Sequence, residues 1–196
     1  MKKAVLTVTF ILASVIWSNA QNFNFEMDKD GEPYVSGVIG YTCGADIAWK
    51  RAKNYATRIY VADYNHVEIK EKARTIIITG GAENSKLRYN PFTGAYGDNI
   101  CYTLELKQGA SVFNYTFKDL YLQSQAAGLV NYNRENPLRQ TLRDYGILKK
   151  TVEDTTIPKK QKKEAMNDYK DIVSSLEKAY EVLMKRVQDI QVAGLE

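Results

Sequence analysis

From Ile100 to Lys118, apolar and polar residues alternate with a break at only one turn. In an extended chain Ile100, Tyr102, Leu104 and Leu106 share one side, and Cys101, Thr103, Glu105 and Lys107 share the other. After Gln108-Gly109 the alternation resumes, with Phe113, Tyr115 and Phe117 set against Val112, Asn114 and Thr116. Strand side chains point to opposite faces in turn, so the stretch predicts an antiparallel hairpin with one face in a core and one in water. A sheet with one apolar face requires a second layer to cover it, and this requirement constrains the rest of the chain.

Residues 45–60 supply a cover. Ala48, Trp49, Ala52, Tyr55, Ala56, Ile59 and Tyr60 recur at helical spacing, as the packed stripe of an amphipathic helix does. Further strands are predicted at residues 34–41, 66–70 and 74–79, the last two flanking Glu71-Lys72-Ala73. The order strand, helix, four strands defines an α+β fold, an antiparallel sheet covered on one face by a helix. Toward the C-terminus, Asn136-Pro137 predicts the start of a short helix that Gly146 ends.

A long amphipathic helix is then predicted from about residue 157 to 192. Met166, Val173, Tyr180 and Val187 repeat every seven residues, as do Tyr169, Leu176, Leu183 and Ile190. Such a helix is about 50 Å long where a small domain spans about 30 Å, so part of it is expected to overhang. Its wide stripe suits packing on the chain's own sheet and first helix; the alternative is a homo-oligomer formed through the C-terminal helix. Lys159-Lys160-Gln161-Lys162-Lys163 opens this helix with charge that opposes its dipole.

The start of the chain reads as an export signal: Met1-Lys2-Lys3, an apolar run over residues 4–16, then Ser18-Asn19-Ala20 before a cleavage point. That run is shorter than the ~20 residues a membrane span needs, so no transmembrane anchor is expected after cleavage. The expected organisation is a signal peptide at 1–20, an N-terminal arm at 21–33, the α+β domain at 34–124, a connecting segment with a short helix at 125–156 and the long helix at 157–193. Export places the protein in the periplasm, outside the cell or on its surface. With Lys2 and Lys3 removed, the 27 Lys/Arg fall to 25 against 23 Asp/Glu, which implies no particular partner.

In an oxidising compartment Cys43 and Cys101 are a candidate disulfide, worth about 4 kcal/mol by loop entropy. The alternation argues against it, because Cys43 lies toward the apolar side of the sheet and Cys101 on the opposite face. Catalytic machinery is sparse. His66 is the single histidine and cannot build the usual zinc site alone. No nucleophile elbow, zincin, P-loop or Cys-x-x-Cys motif occurs. Asp28-Lys29-Asp30-Gly31 lacks the twelfth-position carboxylate of a calcium loop and reads as a plain turn. No catalytic residue, cofactor or metal is assigned and the expectation is a non-enzyme; the alternative is a carboxylate-based hydrolase using Glu68, Glu105 and Asp98.

The recognition candidate is the loop over residues 80–99 with its flanks, where Tyr89, Phe92, Tyr96 and Tyr102 cluster among Arg88, Asn90, Gly94 and Gly97. Tyrosine gives contact area with a polar tip at low entropy cost, which suits a protein or glycan partner. The inferred open face carries Glu68, Lys70, Thr75, Thr79, Thr103, Glu105, Lys107, Asn114 and Thr116. Its balanced charge and lack of an aromatic wedge argue against nucleic acid.

Two strings resemble a known family. Ala48-Trp49-Lys50-Arg51-Ala52-Lys53-Asn54-Tyr55 is similar to its helix pattern Leu-Tyr-x-Arg-Ala-x-x-Trp. The hairpin strand from Ile100 into Lys107-Gln108-Gly109 is similar to its tyrosine-threonine strand leading into Lys-Asp-Gly, with Gln108 in place of the Asp. The family is an exported domain of unknown function from Gram-negative bacteria with a TATA-binding-protein-like (TBP-like) fold. The resemblance covers about residues 34–122 and implies that fold; it brings no catalytic residues.

Overall fold

The structure, a computed structural model, describes residues 23–63, 66–82, 99–125 and 133–193. The signal-like residues 1–20 and the loop residues Tyr89, Phe92, Tyr96 and Asp98 lie outside them. The described strands are β1 (Glu26–Met27), β2 (Pro33–Gly40), β3 (His66–Lys70), β4 (Thr75–Ala82), β5 (Asn99–Gln108), β6 (Val112–Gln125) and β7 (Asn133–Pro137). The helices are α1 (Ala45–Asp63), α2 (Leu138–Glu153) and α3 (Lys159–Val192).

The strands form one antiparallel sheet in the order β1-β2-β6-β5-β4-β3, with β7 also paired to β6. The predicted hairpin is its centre. Strand β6 pairs with β5 on one side; on the other, its first half pairs with β2 and its second half with β7. The β5–β6 turn is closed by the Gly109 N–H on the Val112 carbonyl at 2.7 Å. Tyr41 clamps it, donating its hydroxyl to the Gly109 carbonyl at 2.8 Å and packing its ring on Phe113 at 5.6 Å.

Strand β6 runs seven residues beyond the predicted end, and a bulge makes this possible. Cys101 faces Tyr121 and Thr103 faces Lys118, so three steps on β6 answer two on β5. Asp119 takes up the extra residue at φ 54°, in the left-handed region that Asp tolerates better than most residues. The inward set therefore changes parity, from Phe113, Tyr115 and Phe117 to Leu120 and Leu122, all buried.

The apolar face carries Ile76 and Ile78 from β4, Leu104 and Leu106 from β5, and Phe113 and Phe117 from β6, each fully buried or within 1% of it. Burying each such side chain contributes about 1.5–3 kcal/mol. Helix α1 covers β3 and β4 with Ala48, Trp49, Ala52, Tyr55 and Ala56. Helix α3 covers β2 and β5 with Leu176, Leu183 and Ile190. One of the two heptad rows is thus committed to the chain's own core. The expected overhang is also covered: the first turns of α3 pack along α2, with Val152 and Ala165 both 8% exposed and Tyr145 stacked on Tyr169 at 5.6 Å. The N-terminal arm closes over this pair, Phe23 edge-on to Tyr145 and Phe25 edge-on to Tyr180.

Three expectations for the connecting segment are corrected. It contains a strand, β7, whose sequence NRENP is too polar to read as one. Asn136 is not a helix cap, because its backbone is paired with Leu122; Pro137 takes the cap position at ψ 131° with no side-chain bond. Gly146 does not end α2. The stripe of Leu142, Tyr145 and Val152 packs on either side of it, and this burial exceeds the roughly 1 kcal/mol a helical glycine costs.

Candidate binding face

With the helices on one side, the other face of the sheet is laid out by register. One cross-strand row is Lys70, Thr75, Lys107, Asn114 and Val38; the next is Glu68, Ile77, Glu105, Thr116 and Ser36; a third is His66, Thr79, Thr103 and Lys118. Lys118 bonds Glu105 at 3.3 Å, and Lys70 approaches Glu68 at 3.6 Å. Val38 stands 63% exposed among these polar groups. Glu68 and Glu105 are two strands apart, about 10 Å at the backbone, with Ile77 between them.

Most of the predicted open-face residues are where the alternation put them, with two differences. Thr75 is buried, its hydroxyl donating to the Ala73 carbonyl at 3.1 Å across the β3–β4 turn. The face also has aromatic members. Tyr34 precedes the buried Val35, and Tyr121 lies between the buried Leu120 and Leu122, so both side chains fall on the open side. Tyr34 donates its hydroxyl to Glu26 at 2.8 Å, and that carboxylate raises the phenol's pKa. Tyr121 was hidden from the sequence by the bulge at Asp119.

Tyr102 does not belong to a contact loop. It is 2% exposed in the core-facing row of β5, edge-on to Phe117 at 5.2 Å. The strand parity that placed it beside Ile100 and Leu104 excludes a surface role. No disulfide joins Cys43 and Cys101. Cys43 packs against the core ahead of α1, whereas the Cys101 sulfur lies over Gly81, 3.2 Å from where a Cβ there would sit.

At one corner of the sheet a polar cluster locks α1 in place. The Trp49 indole N–H donates to Glu71 Oε2 at 2.8 Å, and Lys53 Nζ meets Glu71 Oε1 at 2.6 Å. These two bonds, the Lys53 one foremost, hold the Glu71 carboxyl below its ordinary pKa. Arg74 lies over the Trp49 ring at 5.6 Å, bonds Asp46 at 2.7 Å and reaches Gln108 at 3.5 Å. Gln108 donates to the Ala45 carbonyl at 2.6 Å. Arg74 has φ 48°, held by its own N–H on the Glu71 carbonyl and by the Gln108 N–H on its carbonyl at 2.9 Å. Trp49 and Lys53 of α1 and Gln108 at the end of β5 therefore meet at this corner, and their bonds tie α1 to the sheet. The cluster was not legible in the sequence, since Trp49, Glu71 and Arg74 are joined only once helix and turn are docked.

No family model matches the chain, and no curated protein does. Among solved structures, a TBP-like protein from Parabacteroides distasonis ATCC 8503 is similar, with TM-score 0.54 and 14% identity over 84% of this chain and 96% of that one. The likeness concerns the fold: an α+β, TBP-like sheet, here with a long C-terminal helix.

Proposed function

We propose that this chain is an exported, non-enzymatic binding or scaffold protein of the bacterial cell envelope that presents the open face of its sheet to a partner protein or glycan. The observation that carries the reading is the one-sided layering: α1, α2 and α3 contribute to the apolar core, while the opposite face offers an array of polar side chains with Val38 and Tyr121 among them. Glu68 and Glu105 sit beside lysines, which suits a contact surface better than a carboxylate pair working on one bond. The signal-like start supports the envelope setting, and the resemblance to the exported family of unknown function points the same way.

The test replaces two exposed residues of the face, Thr79→Arg with Asn114→Arg, and compares partner recovery by the variant and the unaltered chain. Recovery should be lost while the melting temperature is kept. Equal recovery would remove the open face from the proposal. A second variant with alanine at Tyr89, Phe92 and Tyr96 asks separately whether those residues contribute.

A further inference from the structure

The α2–α3 hairpin ends in an unusually basic tip. Lys149 and Lys150 lie in the last turns of α2, and Lys159, Lys160, Lys162 and Lys163 in the first turns of α3, with a five-residue turn between the helices. The acids nearby are Glu153, Asp154 and Glu164. Asp154 is occupied by its own turn, accepting the Thr156 N–H and hydroxyl at 2.7 Å each. Lys162 donates to the Asp154 backbone carbonyl at 3.1 Å. Among the described residues no ion pair involves Lys149, Lys150, Lys159, Lys160 or Lys163.

This arrangement is unfavourable to the isolated fold. Lysines at the start of α3 oppose its dipole, the first turn has no acid, and Pro158 at the cap has no side chain able to accept a bond. Six like charges also crowd one end of a helical hairpin. An anionic partner would reverse the sign of that cost.

The residue types narrow the partner. Every cation of the tip is a lysine, a mobile point charge without the planar fork that arginine uses to grip one phosphate or carboxylate in a fixed geometry. Ile147, 57% exposed, lies on the outer side of α2 one turn before Lys150, and half-buried Ile157 stands in the hairpin turn directly before Pro158 and Lys159. Apolar side chains interleaved with lysines fit a surface that is diffusely anionic outside and oily just beneath.

We infer that the hairpin tip docks on the surface of an anionic phospholipid bilayer, with the lysines at the headgroups and Ile147 and Ile157 toward the acyl boundary. The inference uses none of the open-face residues and stands apart from the proposed partner contact.

The experiment is vesicle co-sedimentation of the chain from Gln21 onward, which keeps every described residue. Vesicles of phosphatidylcholine with about one-third phosphatidylglycerol are compared with vesicles of phosphatidylcholine alone, at low and high salt. Binding should require phosphatidylglycerol and weaken at high salt. The variant Lys159→Gln, Lys160→Gln, Lys163→Gln should partition about a hundredfold less, at about fivefold per lysine, with no fall in melting temperature. Ile147→Ser should weaken binding without changing its salt dependence. Equal partitioning of the triple variant and the parent, or binding without regard to phosphatidylglycerol, would overturn the inference. So would binding to heparin with none to the vesicles, since that would identify the tip as a site for soluble polyanions.

Discussion

Gly37→Ala should destabilise the fold by about 0.5–2 kcal/mol, and the cost should vanish when Tyr115 is replaced by leucine. Gly37 and Tyr115 are direct cross-strand partners, and the tyrosine ring lies over the glycine. A Cβ on Gly37 would stand 2.5 Å from the Tyr115 hydroxyl, 2.7 Å from Cζ and 2.8 Å from Cε1, closer than such atoms approach. The ring has little room to yield, because Tyr115 is 9% exposed and packs on Phe117 at 5.9 Å. Overfilling a packed site costs about 1–3 kcal/mol, from which about 0.5–1 kcal/mol is recovered because alanine loses less chain entropy than glycine in a strand. Leucine at 115 lacks the three atoms that obstruct, so in that background Gly37→Ala should be neutral or slightly stabilising. The assay is urea unfolding of the four proteins of this double-mutant cycle, followed by fluorescence of Trp49, the one tryptophan in the chain from Gln21. An equal cost in both backgrounds would refute the close approach and with it the β2–β6 register. That register matters for function, because a slip of one residue would turn Ser36 and Val38 from the open face into the core.

Other expectations follow from the same packing. Leu183→Ala should cost about 2–5 kcal/mol in urea unfolding, since the side chain is fully buried under the sheet, and Leu183→Asp should yield no folded monomer; a folded monomer of the aspartate variant would mean that α3 is an oligomer seam instead. Because Glu71 titrates below its ordinary value of 4.5 in the folded chain, its contribution is complete above that value and is lost as pH falls through the depressed folded one. Trp49 emission should shift over that acid window, and Glu71→Gln should abolish the shift. Lys159→Gln and Lys160→Gln should each stabilise by about 0.3–1 kcal/mol in thermal melts at low salt, less at high salt, by easing the conflict with the dipole of α3.

The sequence disclosed the fold wherever periodicity was unbroken. The alternation from Ile100 to Phe117 located the central hairpin and both faces, and the spacing of Trp49, Tyr55 and their neighbours located α1. It was silent where pairing depends on distant chain. The inward Leu120 and Leu122 break the parity of Phe113, Tyr115 and Phe117, and Phe-x-x-Leu across Lys118-Asp119 is the trace such a bulge leaves. β7 is recognisable only by its partner β6. Glycine at 146 resembles a helix end until the packing of Tyr145 and Val152 is known. For the site, the open-face polar residues were legible and Tyr102 was not a surface residue, although its own alternation with Ile100 and Leu104 already assigned it to the core. The Trp49–Glu71–Arg74 cluster ties α1 to a turn 18 to 28 residues further along the chain, so no local pattern announces it.

The most direct measurement places a photo-crosslinking amino acid at Asn114 on the open face and, separately, at Glu181 on the exposed side of α3, in the protein expressed in its own cells. A partner adduct from position 114 with none from position 181 is the predicted result. An adduct from position 181 alone would contradict the assignment of the open face as the contact surface.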